Sequence, residues 1–469
     1  FSLIHNNLGN ILRELGRFDE AVLSYERAIS IDSDFVEAEN NLGLTFVELG
    51  DNDRAIWCYE NVLKTNPDFY YTLNNLGIVF GNINRERDAA LCFEKAITIK
   101  PDYIEAHLNR GNLLSNLHLL DEALESYLKA QKLNPDVDYI QGNILRIQMN
   151  LCLWDSFYNS INALKNHILA GKNKFMPFHC NDIIDDPGLK RMATEFYAKD
   201  KFPRSNVLNN INQYPKHNKI RVGYFSRDFR EHPVSTLTAN LYETHNRDQF
   251  EIHAFSYGPD TQDKMNLRIK SGVDHFHDVQ TMSHKDITLL ARSLEIDIAI
   301  DLGGMDLNAR TQVFAMSAAP IQISYIGYLG TMGASYYDYL LADEITIPKE
   351  NQKYYSEKIA YLPTYQVNDS TESPPDIFFT RKEIGLPETG FVFCCFNSVY
   401  KITPDTFDSW VRILQNVEDS VLILNIDLES AKENLLNEAY LRGLDNSRIV
   451  FAKHFDRDQY LARYRVVDL

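Results

Sequence analysis

The sequence predicts an α + α/β protein in which a helical repeat array precedes an α/β region with two lobes. Three observations carry this prediction. Small and aromatic residues recur every 34 residues near the N-terminus, strand-like runs alternate with helical stretches from Lys219, and a second alternation starts near Pro387. A chain of 469 residues is also too long for one hydrophobic core, so two or three domains are expected.

The repeat array keeps one period at four landmark positions. These are glycine (Gly9, Gly43, Gly77, Gly111), alanine (Ala21, Ala55, Ala89, Ala123), an aromatic residue (Tyr25, Tyr59, Phe93, Tyr127) and proline (Pro67, Pro101, Pro135), with Ser33 in the first repeat. Glycine and alanine let two antiparallel helices approach closely, the aromatic residue fills space between helix pairs, and proline ends the second helix. The pattern resembles the tetratricopeptide repeat, which forms an α-superhelix.

The same period extends to the first residue, because Phe1 is in register with Phe35, Phe69 and Tyr103. We therefore expect the natural array to begin upstream. A superhelix of such repeats offers a long groove for a protein or peptide segment. A spacer without a binding role is the alternative.

Four segments are predicted: repeats at 1–135, a helical connector and linker at 136–218, a first lobe at 219–386 and a second lobe at 387–469. Within the connector, His179 is expected to be a packed or capping histidine. A role for His179 at a substrate cleft is the alternative.

Composition limits the classes of partner. The net charge of −18 argues against a general nucleic-acid or anionic-membrane surface, because phosphates would be repelled over most of the exterior. The six cysteines lack metal-ligand spacing and are expected to be buried thiols in a reducing compartment. No apolar run is long enough to span a bilayer, and the given sequence does not open with a basic region followed by an apolar one. These features predict a cytoplasmic protein.

The first lobe reads as strands that alternate with helices, which predicts a parallel sheet. The strand-like runs are IRVGYFS, EIHAFSYG, DIAIDLGG, IQISYIGYLG and YDYLLAD. Ligands bind beyond the carboxyl ends of such strands, so the loops RDFREHPVSTL, GGMDLNAR and LGTMGAS are candidates for a phosphate or nucleotide cleft. Gly327, Gly330 and Gly333 are candidates to contact phosphate, with structural turns as the alternative. The second lobe has the strands GFVFCCF, SVLILNID and RIVFAKHF.

Repeats followed by RVGYFSRDFREHPVS, APIQISYIGYLGTMG, YYDYLLADEITIP, YSEKIAYLP and FNSVYKITPDTFDSWVRILQNVEDSVLIL resemble the protein O-linked N-acetylglucosamine transferases and their SPINDLY-like relatives. The resemblance covers nearly the whole chain. It implies a GT-B fold with two Rossmann-like lobes that transfers a sugar, with inversion and without a metal, from a nucleotide diphosphate to Ser or Thr of a protein. The short segment between the lobes favours a bacterial-type member.

The resemblance also implies site residues. The histidine of the family's His-Pro motif falls on His232, followed by Pro233, and its lysine falls on Lys401. The Lys401 ammonium would stabilise the charge that builds on the β-phosphate as the glycosidic bond breaks. His232 would act as a base or orient the donor, and a helix-capping role is considered the less favoured reading. Asn397, Ser398, Tyr400 and Thr331 would shape the donor site.

Two departures bear on activity. The family usually carries Gly-His-Thr where this chain has Gly304, Met305 and Asp306, so a polar contact to the donor is expected to be lost. Arg457, Tyr460 and Arg463 align with the base-contacting region, and the chain stops before the family's following His-Thr-Thr motif. We therefore expect an incomplete second lobe and little activity unless the missing segment is supplied.

Three functions stay open at this level. The favoured one is a transferase that uses UDP-N-acetylglucosamine, needs no cofactor or metal, and acts on proteins held in the repeat groove. The alternatives are a GDP-fucose protein O-fucosyltransferase and a non-catalytic repeat scaffold. A homodimer through the repeats is a further expectation.

Overall fold

The computed structural model describes residues 1–172, 176–209, 211, 214–306, 308–367, 369, 371, 373, 375–453 and 455–469, and only the backbone of residues 179, 180 and 182. These residues form two compact units. The first comprises Phe1–Trp154 and Leu428–Leu435, and the second comprises Asp155–Asp427 and Leu436–Leu469. Within the described part, every helix is too short or too polar to cross a membrane. The four predicted segment boundaries stay predictions.

The first unit is a series of antiparallel helix pairs in which each helix packs against the next. Its helices are α1 (Ser2–Glu14), α2 (Phe18–Ile31), α3 (Val36–Glu48), α4 (Asn52–Thr65), α5 (Tyr70–Asn82), α6 (Glu86–Ile99), α7 (Ile104–Asn116), α8 (Leu120–Leu133) and α9 (Ile140–Asn150). This architecture confirms the predicted repeat array.

Each landmark glycine lies against the aromatic ring of its own repeat. A Cβ added to Gly43 in α3 would lie 2.6 Å from Cε1 of Tyr59 in α4, and a Cβ added to Gly77 would lie 2.7 Å from Cε1 of Phe93. Tyr59 and Phe93 are buried. The absence of a glycine side chain therefore lets the two helices of a repeat close on a large ring.

A polar ladder joins the first helices of successive repeats. Asn41 Nδ2 donates to Asn6 Oδ1 at 3.1 Å, and Asn75 Nδ2 donates to Asn40 Oδ1 at 3.2 Å. Thr72 Oγ1, which is buried, donates to the same Asn40 oxygen at 2.8 Å. The ladder supplies hydrogen-bond partners for these side-chain groups, which the apolar core between the repeats does not offer.

The second unit contains a seven-stranded sheet whose strands are all parallel, in the order β3-β2-β1-β4-β5-β6-β7. The strands are β1 (Ile220–Ser226), β2 (Phe250–Ser256), β3 (His275–Asp278), β4 (Ile298–Asp301), β5 (Ile321–Ser324), β6 (Tyr339–Ala342) and β7 (Lys358–Tyr361). The strand predictions identified five of these and missed β3 and β7.

Helices precede and alternate with these strands. They are α10 (Phe157–Leu169), α11 (Pro177–Ile183), α12 (Pro187–Lys201), α13 (Pro233–Thr244), α14 (Lys264–Gly272), α15 (His284–Ser293) and α16 (Thr311–Ala315). Both faces of the sheet are covered, because Phe255 packs with Ile287 of α15 while Ile252 packs in a separate cluster with Tyr242 of α13. Burial on both faces is what parallel sheets require.

A smaller parallel sheet, in the order β10-β9-β8, belongs to the second predicted lobe. Its strands are β8 (Val392–Cys395), β9 (Val421–Leu424) and β10 (Ile449–Phe451), and its helices are α17 (Pro404–Asn416), α18 (Glu429–Leu441) and α19 (Arg457–Ala462). The residues that follow α19 run beside β8, where Cys394 N donates to Leu469 O at 2.6 Å.

Two expectations need correction. The stretch RDFREHPVSTL is not all loop, because α13 begins at Pro233, which fits a first helical turn where no N–H is needed. The cysteines are not uniformly buried. Cys58, Cys92 and Cys152 are buried free thiols, but Cys394 and Cys395 are only partly buried, and the side chain of Cys180 lies outside the described residues.

Candidate functional site

A cleft of about 620 Å³ lies in the second unit beyond the carboxyl end of β5. Helices α11 and α12, the loop after β5, the 3₁₀ helix Lys349–Tyr354 and the 3₁₀ helix Val399–Lys401 contribute to its wall. Its lining residues are Phe178, Asn181, Asp185, Pro187, Lys190, Arg191, Thr194, Ile326, Gly327, Tyr328, Leu329, Gly330, Thr331, Thr346, Asn351, Tyr354, Tyr355, Tyr400 and Lys401.

The loop after β5 is held by close backbone contacts. A Cβ on Gly327 would lie 1.8 Å from the carbonyl oxygen of Leu302, which follows β4. Gly333 has φ of +62°, and a Cβ there would lie 2.8 Å from the backbone N of Glu195 in α12. Glycine at these positions is therefore required by packing and, at Gly333, also by the left-handed backbone.

The hydroxyl of Thr331 is hydrogen-bonded to other groups of the protein. It lies 2.7 Å from Glu357 Oε2 and 2.9 Å from Ser356 Oγ, and it accepts from Gly333 N at 3.1 Å. Glu357 Oε1 also accepts from Met332 N at 2.6 Å, and burial raises the pKa of Glu357. Glu357, which the sequence reasoning missed, thus fixes the glycine-containing loop against the cleft.

Lys401 reaches the cleft from the second lobe. It ends the 3₁₀ helix that follows β8, where its N–H donates to Ser398 O at 3.0 Å. Thr403 caps α17 by accepting from Thr406 N, and Pro404 takes the first helical position. This local chemistry holds the backbone between β8 and α17. The exposed Lys401 side chain places Nζ 5.9 Å from the centre of the Tyr400 ring.

The charges on the cleft wall favour an anion. Among the described lining residues, Lys190, Arg191 and Lys401 are cationic and Asp185 is acidic. Arg191 also pairs with Glu195 at 2.7 Å, which offsets part of its charge. A positive wall stands out in a chain whose net charge is −18, and it suits the phosphates of a nucleotide.

His232 follows β1 and caps α13. Its Nδ1 accepts from Val234 N at 3.3 Å, and the same atom lies 3.7 Å from Asp228 Oδ2. Burial lowers the pKa of His232, although Asp228 opposes that shift. The capping role that was less favoured from the sequence is therefore present, and a role of His232 at the donor stays a prediction. In the neutral ring that accepts at Nδ1, the proton resides on Nε2.

Asp301 organises the loop after β4. This buried carboxylate accepts from Gly303 N at 2.9 Å, Gly304 N at 3.1 Å and Tyr337 Oη at 2.5 Å. β1 and β4 are neighbours at the point where the strand order reverses, so the His232 and Gly304 loops lie where such sheets bind ligands. Met305 is 1% exposed and packs in the core, so its side chain supplies no polar contact there.

Arg463 is fully buried in the second lobe. Its guanidinium lies 3.6 Å from the Phe396 ring centre and 3.9 Å from that of Tyr460, and Nη1 donates to Asn425 Oδ1 at 3.3 Å. Its Nε and Nη2 have no hydrogen-bond partner among the described residues. Burying such donors unpaired is costly, so this cluster at the carboxyl ends of β8 and β9 is a second candidate for ligand contact.

The cleft brings together five predicted residues: Gly327, Gly330, Thr331, Tyr400 and Lys401. Its described lining does not include His232, Pro233, Gly304, Gly333, Asn397, Ser398, Arg457, Tyr460 or Arg463. The side chain of His179 lies outside the described residues. The sequence reasoning missed Lys190 and Arg191, because α12 carries no local signal that it packs beside a loop more than a hundred residues away.

Comparison with known proteins bears on both units. The sequence model of glycosyl transferase family 41 matches residues 201–375 and 368–469. Tetratricopeptide-repeat models match residues 9–50, 40–104 and 104–137. The family 41 match thus covers more than half of the chain.

Among curated proteins, the chain is 35% identical over 257 residues to the probable UDP-N-acetylglucosamine–peptide N-acetylglucosaminyltransferase SEC of Arabidopsis thaliana, a match that spans 54% of this chain and 26% of that protein. It is 24% identical over 367 residues to the corresponding transferase of Caenorhabditis elegans, covering 54% of this chain and 32% of that protein. The SPINDLY protein of Hordeum vulgare is 27% identical over 266 residues, and that match covers 53% of this chain and 27% of that protein. The chain therefore spans about a quarter to a third of the length of these relatives.

One solved structure shares the fold over most of the chain. It is a mutant of the Thermobaculum terrenum O-GlcNAc transferase, with a TM-score of 0.62 and 22% sequence identity, and the match covers 92% of this chain and 77% of that one. This match, together with the two kinds of element described above, confirms the predicted repeat array and two-lobed α/β fold.

Proposed function

The chain belongs to glycosyl transferase family 41, and from that membership we propose that it transfers N-acetylglucosamine from UDP-N-acetylglucosamine to Ser or Thr hydroxyls of proteins. The observation that carries the proposal is the cleft of about 620 Å³, in which Lys401 of the second lobe meets the loop after β5 of the first. The relative with 35% identity, whose name specifies a UDP-N-acetylglucosamine donor, supports this choice of sugar nucleotide.

The proposed reaction is an inverting displacement at the anomeric carbon. The acceptor hydroxyl attacks from the face opposite the nucleotide, the bond to the β-phosphate oxygen breaks, and its electron pair stays on that oxygen. Lys401 neutralises this growing charge, which makes its contribution larger in the transition state than in the ground state. Lys190 lies on the same wall and adds to the positive potential around the diphosphate.

His232 has a positioning role in this proposal. Because Nδ1 accepts the Val234 N–H, Nε2 of the neutral ring carries a proton and donates to an oxygen of the donor or acceptor. A ring in that state does not take a proton at Nε2. We therefore assign His232 to orientation of the substrates. The acceptor proton passes to water, so that the products are the glycosylated hydroxyl, the nucleotide diphosphate and one proton.

Tyr460 and Arg463 are proposed to contact the nucleotide base. The unpaired Nε and Nη2 of Arg463 are donors that a base carbonyl would satisfy, and the ring of Tyr460 offers a stacking face. Protein acceptors would bind in the groove of the repeat array. Metal independence is part of the proposal, because the lysines and the loop N–H groups supply the neutralisation.

Lys401→Ala tests the catalytic step. We expect kcat for sugar transfer to fall by about 100-fold to 1,000-fold with little change in the thermal midpoint, because the exposed side chain stabilises charge rather than the fold. Lys382→Ala, which removes another exposed lysine of the second unit, is the matched control and should keep wild-type kcat. Equal rates for Lys401→Ala and wild type would refute the assignment.

A calorimetric titration tests the donor. UDP and UDP-N-acetylglucosamine should bind, and GDP and GDP-fucose should not. Tight binding of GDP-fucose alone would establish the fucosyltransferase alternative. The absence of binding by all four nucleotides, together with retained peptide binding by the repeats, would establish the scaffold.

A further inference from the structure

We propose that Glu251, His253 and His275 form a binding site for a divalent transition-metal ion of the Zn²⁺ class at the edge of the seven-stranded sheet. The ligand atoms of these residues all lie within 4.8 Å of one another. The site stands apart from the transfer reaction, and it does not depend on the proposed function.

Strand register produces the cluster. β2 and β3 run parallel with His253 opposite His275 and Phe255 opposite His277. Side chains two residues apart along a strand point to the same face, so Glu251 and His253 of β2 share a face with His275 and His277 of β3. The rings of His253 and His275 are 4.5 Å apart. Parallel pairing thus gathers four metal-ligating side chains from two short segments.

The donor atoms are close to the spacing of a tetrahedral metal. Bonds of 2.0–2.1 Å place two ligand atoms about 3.3 Å apart around a tetrahedral ion. Nε2 of His275 lies 2.8 Å from Glu251 Oε1, and Nε2 of His253 lies 3.6 Å from the same oxygen. Small rotations of these side chains would bring the three atoms to metal-binding distance.

An unpaired buried nitrogen gives independent support. His253 is 3% exposed, and its Nε2 has no hydrogen-bond partner among the described residues. A buried polar atom without a partner is costly, and this one is aimed at Glu251 and His275. A metal ion would use the lone pair that the protein leaves unused.

His277 and Arg221 contact the proposed ligands and orient them. His253 Nδ1 lies 3.1 Å from His277 Nε2, a contact that leaves Nε2 of His253 free to coordinate when Nδ1 carries the proton. Arg221 Nε contacts Glu251 through Oε2 at 3.3 Å, and Oε1 faces Nε2 of both His275 and His253. The ion would therefore replace the hydrogen bond between Oε1 and His275.

The site lies away from the cleft. Among the described residues, β3 is an edge strand that pairs with β2 alone. The ligands come from the first four residues of β2 and the first residue of β3, whereas the cleft lies beyond the carboxyl end of β5. His275 is 48% exposed, so water can fill the fourth position. The ion would link β3 to β2. Because it would bind only the folded state, it would stabilise the edge of the sheet.

The first test titrates Zn²⁺ into the chelator-treated full chain by calorimetry. We expect one equivalent to bind and the thermal midpoint to rise. His275→Ala removes an exposed ligand without creating a core cavity and should abolish that equivalent. His277→Ala should weaken binding by about 10–100-fold, because it removes a partner of a ligand. His5→Ala, a histidine of α1 outside the cluster, is the matched control and should bind as wild type.

A spectroscopic test separates coordination from a structural role. Co²⁺ in the site should give the intense visible absorption of a four-coordinate ion. His275→Cys should keep the site and add a thiolate-to-cobalt band, because a thiolate replaces the imidazole. Zn²⁺ binding that is unchanged in His275→Ala, or no stoichiometric binding by the wild type, would overturn the proposal.

Discussion

In the repeat array, a Cβ added to a landmark glycine would collide with an aromatic side chain. In the loop after β5, a Cβ added to Gly327 would collide with backbone. Gly77 faces the Phe93 ring sixteen residues later in its own repeat, and Gly327 faces the carbonyl oxygen of Leu302, which belongs to a different strand connection. A ring can shift by rotating, but a carbonyl fixed at the end of a strand cannot. The array is therefore specified by local, repeated contacts, and the cleft by single contacts between distant segments.

The largest expected effect is that of Gly327→Ala. A Cβ 1.8 Å from Leu302 O forces backbone to move, so we expect a loss of more than about 3 kcal/mol in the free energy of unfolding of the second unit, at the upper end of overpacking costs. Hydrogen exchange of peptides from β4 and β5 measures it. A loss below about 1 kcal/mol would show that the loop yields as easily as a side chain.

Gly77→Ala tests the array side of the comparison. Its Cβ would lie 2.7 Å from Phe93 Cε1, so we expect a loss of about 1–3 kcal/mol, seen as faster hydrogen exchange in α5 and α6. Gly81 lies in the same helix with no atom near its added Cβ. Gly81→Ala is therefore the matched control and should stabilise by about 0.5–1 kcal/mol. Equal effects at the two positions would contradict the ring-contact explanation.

Asn40→Ala tests whether the polar ladder couples repeats. Asn40 accepts from Thr72 and Asn75 of the next repeat, and its loss leaves the buried Thr72 hydroxyl without that acceptor. We expect a cost of about 1–3 kcal/mol in urea unfolding. Thr72→Ala removes the other partner, and the double variant should cost less than the two single changes together. Strict additivity would mean that the ladder does not couple the repeats.

Glu357→Gln should give the smallest effect, about 1 kcal/mol at fixed pH, with a clear pH dependence. Burial raises the pKa of Glu357 above its ordinary value of 4.5, so the folded state binds its proton more tightly than the unfolded state. The unfolding free energy of wild type should therefore fall, relative to the variant, as the pH rises from about 4.5 through the folded pKa. Thermal midpoints of both proteins across that range measure the difference, and a flat or rising difference would contradict the assignment.

Prediction from sequence succeeded where patterns repeat or lie next to one another. The 34-residue period identified the array, and strand-like runs identified β1, β2, β4, β5, β6 and the strands of the second lobe. It failed for β3, whose four residues HFHD are mostly polar, and for β7. It could not show that His232 caps α13, because a side-chain cap depends on where the ring lies.

The sequence by itself determined the order of the two units, the paired helices of the array and the candidate residues Lys401, Gly327, Gly330 and Thr331. The order of the units and the paired helices depend on propensity and period within short segments. Gly327 and Gly330 were candidates because their loop follows a predicted strand, and Lys401 and Thr331 were candidates through the resemblance to the transferase family. Only the tertiary structure decided which candidates meet, that α12 adds Lys190 and Arg191 to the cleft, that Glu357 holds the Thr331 loop, and that parallel pairing gathers the histidines of β2 and β3. Each of these depends on contacts between segments far apart in sequence, which no local pattern encodes.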